Sequence, residues 1–164
     1  MTREPFSLEA EQGVIGAMLI DPSLIDSVSA DLLSSDFYFA DNADAFSAVL
    51  ELRAESSPVD FLTVAEKMGG VGAIAITAEL QRNTPSAANA MTYARIVKER
   101  STDRCLIAAA QRIHEIAHND MPTVDKVSAA QSEMLSIDGT AATPEISSAK
   151  DVMRQHLVEL ERRK

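Results

Sequence analysis

The sequence predicts an all-α protein: a compact helical bundle followed by an antiparallel helical hairpin and a separate C-terminal linker helix. Three observations predict it. The apolar residues make up 46% of the chain, with no Trp, two Tyr and five Phe, so the core is built of Ala, Leu, Ile, Val and Met. Such a composition suits close-packed helices better than a sheet. Apolar residues recur at i, i+3, i+4 and i+7 in one segment after another. Pro, Gly, Ser and Asp cut the chain into helix-length pieces, with stop and start residues where helices need them.

Ser7 is placed to cap a first helix from Leu8 to about Ile20, with Leu8, Gln12, Ile15 and Leu19 on one side. Gly13 and Gly16 within it lower helix propensity by roughly 1 kcal/mol each relative to Ala. They are therefore read as sites where another helix comes close. Asp21-Pro22-Ser23 breaks the chain, and a second helix runs from Leu24 to about Leu33. Phe37-Tyr38-Phe39 is an aromatic cluster between Asp36 and Asp41. Aromatic trios can stack bases, but no basic neighbour accompanies this one, so it is read as packing. A third helix covers Ala43 to Ala54. Asp60 caps a fourth from Phe61 to Met68, Gly69-Gly70 and Gly72 turn the chain, and a fifth spans Ala73 to about Arg82. The acidic pairs Glu9/Glu11 and Asp41/Asp44 read as solvated helix starts.

At Asn83-Thr84-Pro85-Ser86 one helix stops and another starts. Pro85 has no N–H and biases Thr84 away from helix, and Ser86 can cap the next helix. The longest element runs from about Ala87 to His118. Tyr93, Ala94, Ile96 and Val97 form one apolar stretch; Leu106, Ala109, Ala110, Ile113, Ile116 and Ala117 form a second. Between them Lys98 to Arg104 is polar throughout, a solvated helical stretch or a bend. Asn119 to Pro122 turns the chain, Thr123 caps, and Val124 to Ile137 returns with Val127, Ala130, Met134 and Ile137 on one side, an antiparallel hairpin. Residues 138–147 (DGTAATPEIS) read as a linker. The last helix, 148–164, carries the stripe Val152, Met153, His156, Leu157 and Leu160 and stops without a cap. The expected organisation is thus a bundle over 1–86, long helix and hairpin over 87–137, linker over 138–147 and terminal helix over 148–164.

The formal net charge of −10 disfavours strong direct binding of nucleic acid and points to protein partners. Cys105 is the only cysteine, so no internal disulfide can form, which fits a reducing compartment. No apolar run approaches the length of a membrane span and no signal core comes after Met1. A cytoplasmic protein without membrane contact is the expectation.

One motif looks catalytic. His114-Glu115-Ile116-Ala117-His118 matches H-E-x-x-H, which sets two imidazoles one helical turn apart with a carboxylate beside them, the geometry of zinc peptidases. It is set aside. Asn119-Asp120-Met121-Pro122-Thr123 stands where a third ligand would be expected, and Glu133 is not singled out by any pattern. His114 and His118 near a helix C-terminus also favour the helix dipole. No phosphate-cradling G-x-x-x-x-G-K-[ST] loop exists; Gly69-Gly70-Val71-Gly72 reads as a turn and Cys105 as a spectator thiol. No catalytic, cofactor-binding or metal residue is expected.

The spelling carries more. Asn83-Thr84-Pro85-Ser86-Ala87-Ala88-Asn89 leading into Tyr93-Ala94-Arg95-Ile96-Val97-Lys98-Glu99-Arg100 resembles the N-terminal domain of DnaB-type replicative DNA helicases. Ser7-Leu8-Glu9-Ala10-Glu11-Gln12 with Val14-Ile15-Gly16 resembles that domain's opening helix. Asp36-Phe37-Tyr38, Ser57-Pro58-Val59-Asp60 and Thr63-Val64-Ala65-Glu66 come next in the family's order. The likeness is specific from about Ser7 to Arg104, and one of pattern over the hairpin. Two features depart from it. The glycine turn at 68–72 is shorter than usual, with Ala73-Ile74 where an aromatic often stands, and no ATPase motor is present.

The resemblance implies a domain whose hairpins pair between subunits to build a dimer or hexameric collar, and which binds the C-terminal domain of primase and a helicase loader. The residues placed in those roles are Leu106, Ile113, Val127 and Met134 for hairpin pairing, although an intramolecular core role fits these four equally. Arg112 and Glu115 are assigned to the partner surface, and Met153, Leu157 and Leu160 to docking of the linker helix. The chain itself is expected to be non-catalytic, with ATP and Mg belonging to a motor domain beyond Lys164. The alternatives are a motorless phage- or plasmid-borne homologue that modulates helicase or primase and, distantly, a zinc hydrolase.

Overall fold

The computed structural model describes residues 4–138, and within them every regular element is helical. The expected linker beyond Asp138 and the C-terminal helix with Met153, Leu157 and Leu160 lie outside the described residues. The chain divides into two compact units, residues 1–105 and 106–164.

In the first unit, α1 (Leu8–Ile20) is the central element. The Oγ of Ser7 accepts the Ala10 N–H at 3.3 Å, the expected cap. Val14, Ile15, Ala17 and Met18 are fully buried, and α1 packs against α3 (Ala40–Ala54) and α5 (Ala73–Arg82). Its glycines admit close neighbours. A Cβ on Gly13 would sit 2.8 Å from the Tyr93 ring, and one on Gly16 would sit 2.1 Å from Thr84 Oγ1 and 2.4 Å from the Leu80 carbonyl oxygen. Thr84 is buried and donates its hydroxyl to that same carbonyl at 2.9 Å. The stop before Pro85 is therefore also the contact surface for Gly16.

Several boundaries differ from expectation for identifiable reasons. The second helix is a 3-10 turn, Pro22–Leu24, followed by α2 (Ile25–Asp31). It stops two residues early, because Leu32 turns extended and is buried in the core. The third helix begins at Ala40. Phe39, at its N-cap, has no capping side chain, and Glu11 of α1 supplies the acceptor. The Glu11 carboxylate takes the backbone N–H of Tyr38 at 2.9 Å and of Phe39 at 3.3 Å, and the Asn42 side-chain amide at 3.0 Å. A negative charge at a helix start is favourable there. Glu11 is thus buried rather than solvated, whereas Asp41 and Asp44 are exposed as read.

α4 (Phe61–Met68) opens on a reciprocal cap: Asp60 Oδ1 accepts from the N–H of Leu62 and Thr63 at 2.9 Å each, and Thr63 Oγ1 accepts the Asp60 N–H at 2.9 Å. Gly69, Gly70 and Gly72 then take positive φ of 66°, 86° and 101°, a turn that residues with a Cβ rarely adopt.

Ser86 caps a 3-10 turn, Ala87–Asn89, and α6 (Ala90–His118) continues from it as one uninterrupted helix. Ala94 and Val97 belong to the bundle core. The polar run Lys98–Arg104 is neither a bend nor wholly solvated. Asp36, buried at the end of the 3-10 turn Ser34–Asp36 before α3, receives Lys98 Nζ at 3.1 Å and the Ser101 hydroxyl at 2.7 Å, and takes the Leu33 N–H at 2.8 Å. Arg104 donates to the backbone oxygens of Asp36 at 2.6 Å and Pro5 at 2.8 Å. Its guanidinium lies 5.7 Å from the Tyr38 ring centre, a cation–π contact. The aromatic cluster therefore has a basic neighbour after all, supplied from a distant helix. Its role is still packing: Phe37 tilts against Phe46 at 4.9 Å and Phe6 stacks on Tyr38 at 4.8 Å.

Among the described residues no single helix is long and apolar enough to cross a membrane. The pair Leu8–Ile20 and Pro22–Asp31 has the length and composition but bends by 113°, and its first helix is the bundle core.

Candidate protein–protein interface

The second unit is built on the C-terminal part of α6 and on α7 (Thr123–Asp138). Thr123 is the first residue of α7 rather than its cap. The Pro122 carbonyl accepts the N–H groups of Asp125 at 3.0 Å and Lys126 at 3.1 Å. Lys126 Nζ reaches back to the Ala117 carbonyl at 2.9 Å, placing a cation on the end of α6, where the dipole favours it. Arg112 on α6 and Glu133 on α7 pair at 2.5 Å across the hairpin.

Within this hairpin the apolar residues are not consumed. Ile113, Val127, Ala130, Gln131, Met134 and Leu135 line an open groove of about 570 Å³. Val127 is 54% exposed, Met134 52% and Leu135 68%. Three of the four residues expected to pair between chains, Ile113, Val127 and Met134, are thus brought together. Leu106, the fourth, is 44% exposed but does not line the groove. Leu135 falls outside the i, i+3, i+7 stripe of Val127, Ala130 and Met134, so helical spacing alone does not mark it. A second, smaller groove of about 460 Å³ runs along α6 past Ile107, Ala110, Gln111, His114 and Glu115. Of the two residues assigned to a partner surface, Glu115 therefore lies on this groove, while Arg112 is engaged by Glu133 as a hairpin brace.

His114 and His118 sit side by side, ring centres 4.5 Å apart, with His118 Nδ1 at 2.9 Å from the His114 carbonyl oxygen. Glu133 is occupied by Arg112. Among the described residues no three His, Cys, Asp or Glu side chains converge as metal ligands. What the described part of the unit offers chemically is an open groove lined mainly by apolar side chains.

The model of the DnaB-like helicase N-terminal domain matches residues 3–99. This chain belongs to that family. The DnaB domain match takes in the whole bundle and the start of α6. Among relatives, the replicative DNA helicase DnaB of Geobacillus stearothermophilus is 36% identical over 127 residues, 74% of this chain and 28% of that protein. The chain therefore spans between a quarter and a third of that relative's length. The crystal structure of the DnaB N-terminal domain from Mycobacterium tuberculosis is similar with a TM-score of 0.75 at 31% identity, covering 81% of this chain and 99% of that one. The DnaB N-terminal domain from Helicobacter pylori, described together with its interactions with primase, has a TM-score of 0.60 at 26% identity, covering 68% of this chain and 91% of that one. The all-helical fold is that of DnaB N-terminal domains, and the resemblance read at Asn83–Asn89 and its neighbours holds.

Proposed function

We propose that this chain is the assembly and partner-binding domain of a hexameric replicative DNA helicase, serving DNA replication through protein contacts. The observation that carries the proposal is the open groove on the hairpin lined by Ile113, Val127, Met134 and Leu135. These side chains are already part-buried, so burying what remains exposed of each is worth roughly 1–2 kcal/mol before the costs of association. A second copy of the chain, pairing hairpin to hairpin, is the occupant in the assembled state. The primase C-terminal domain is the proposed heterologous partner, supported by the primase interactions of the Helicobacter pylori domain, and a helicase loader is the other. The net charge of −10 supports protein partners over direct strong DNA binding. The chain acts without a cofactor, and ATP and Mg belong to a motor domain. Its place of action is the cytoplasm.

The test is titration of the purified chain with the C-terminal domain of its cognate primase, followed by calorimetry. Saturable binding with a defined stoichiometry, weakened by Glu115→Lys, supports the proposal. A chain that binds neither primase nor loader at hundred-micromolar concentration refutes the partner assignment.

A further inference from the structure

Residues 148–164 are amphipathic by sequence, and the hairpin groove begins where the described chain ends. Leu135 lines the groove only three residues before Asp138. The groove residues of α7 run from Val127 to Leu135, eight steps of about 1.5 Å, or about 12 Å. The apolar stripe Val152, Met153, His156, Leu157 and Leu160 also covers eight steps. A helix laid beside α7 packs about 8–10 Å away. The intervening stretch, residues 139–147, is nine residues long, and nine residues of polypeptide can span at most about 30 Å. That reach is enough for the return.

Charge agrees with the match. Residues 106–138 hold two cations, Arg112 and Lys126, against the five acids Glu115, Asp120, Asp125, Glu133 and Asp138. Residues 148–164 hold five cations, Lys150, Arg154, Arg162, Arg163 and Lys164, against the three acids Asp151, Glu159 and Glu161. The segment with a surplus of positive charge is therefore tethered next to an acidic hairpin inside a chain that is acidic as a whole.

We infer that in the unassembled chain residues 148–164 dock into the groove of their own hairpin, with Met153, Leu157 and Leu160 set against Val127, Met134 and Leu135. This goes beyond the reading above, since it names what covers the groove before a second copy does. A tether of this length holds its ligand at an effective concentration in the millimolar range. A second chain at micromolar concentration is therefore at a disadvantage until the segment is drawn away. Self-docking thus regulates hairpin pairing: whatever engages residues 148–164 releases the interface.

The test uses the whole chain. Ala130 lies in the middle of the groove and His156 in the middle of the stripe, so they meet whichever way the segment runs. Ala130→Cys with His156→Cys, in a Cys105→Ser background, is oxidised mildly and run on non-reducing gels. The expected result is a disulfide within one chain, its yield independent of protein concentration and lowered at least fivefold by adding Leu157→Asp. In the chain with its native Cys105, Leu157→Asp speeds amide exchange over residues 127–135 at concentrations low enough to keep the chain monomeric, and at higher concentrations it tightens self-association at least fivefold. Disulfides formed only between chains, with a yield that rises with concentration, assign the groove to a second copy and overturn the inference. So does the absence of any disulfide while both cysteines react with a thiol reagent. The intramolecular cross-link is read on the monomer, so its failure is separable from a failure to dimerise or to bind primase.

Discussion

Lys98 Nζ lies 3.1 and 3.3 Å from the two carboxylate oxygens of Asp36, a residue 62 positions earlier in the chain. The Asp36 side chain is 6% exposed and that of Lys98 25%. The pair is largely withdrawn from water, and Ser101 and the Leu33 N–H satisfy the remaining acceptor capacity. It clamps the first part of α6 onto the loop that leads into α3.

Removing one member of such a pair strands the other in a poorly solvated place. Asp36→Ala is expected to cost about 3 kcal/mol or more in unfolding free energy, and Ser101→Ala about 1 kcal/mol. Urea denaturation of the purified variants checks both. Equal losses in the two would show that the ion pair adds nothing beyond the Ser101 hydrogen bond.

Gly16→Ala gains about 1 kcal/mol in helix propensity but drives a methyl toward the Leu80 carbonyl oxygen and Thr84 Oγ1. The expected net effect is a loss of about 1–3 kcal/mol from overpacking. Because one of the two obstacles is backbone, Thr84→Ala does not rescue it. Thermal melts of the single and double variants decide: full rescue would place the contact on the threonine alone.

The carboxyl of Asp60 is held below its ordinary value, first by the Thr63 N–H, then by the Leu62 N–H and the Thr63 hydroxyl. A depressed folded pKa means that the cap contributes fully above the unfolded value near 3.8 and is lost as pH falls through the folded one. Asp60→Ala should therefore cost about 1 kcal/mol at pH 7, with the difference from the parent shrinking only below about pH 4. Stability curves of the two proteins from pH 7 to pH 3 give the answer, and a gap that closes by pH 6 would contradict the assignment.

The same physics separates what could be read in the chain from what could not. α1, α4 and α5 begin and end where their local residues say, because Ser7, Asp60 and the glycines at 69–72 act within a few positions of themselves. α3 and the polar run of α6 depart from the local pattern because their partners lie far along the chain. α3 starts three residues early because Glu11 serves its N-terminus, and nothing near Phe39 announces that. Lys98 to Arg104 looks like a solvated run because its partners, Asp36 and Pro5, are more than sixty positions away. On the hairpin, helical spacing marks Ile113, Val127 and Met134, which line one groove. Leu135 and the engagement of Arg112 by Glu133 depend on how the two hairpin helices are turned toward each other, which spacing alone does not determine.

The hairpin groove is most directly tested by sedimentation equilibrium on the whole chain and on Met134→Asp, each alone and with Leu157→Asp. The expected result is a reversible dimer that Met134→Asp weakens at least tenfold, with the melting temperature within a few degrees of the parent because Met134 lies outside the bundle core. A chain that stays monomeric at high concentration in every background, or a dimer indifferent to Met134→Asp, would show that association uses some other surface.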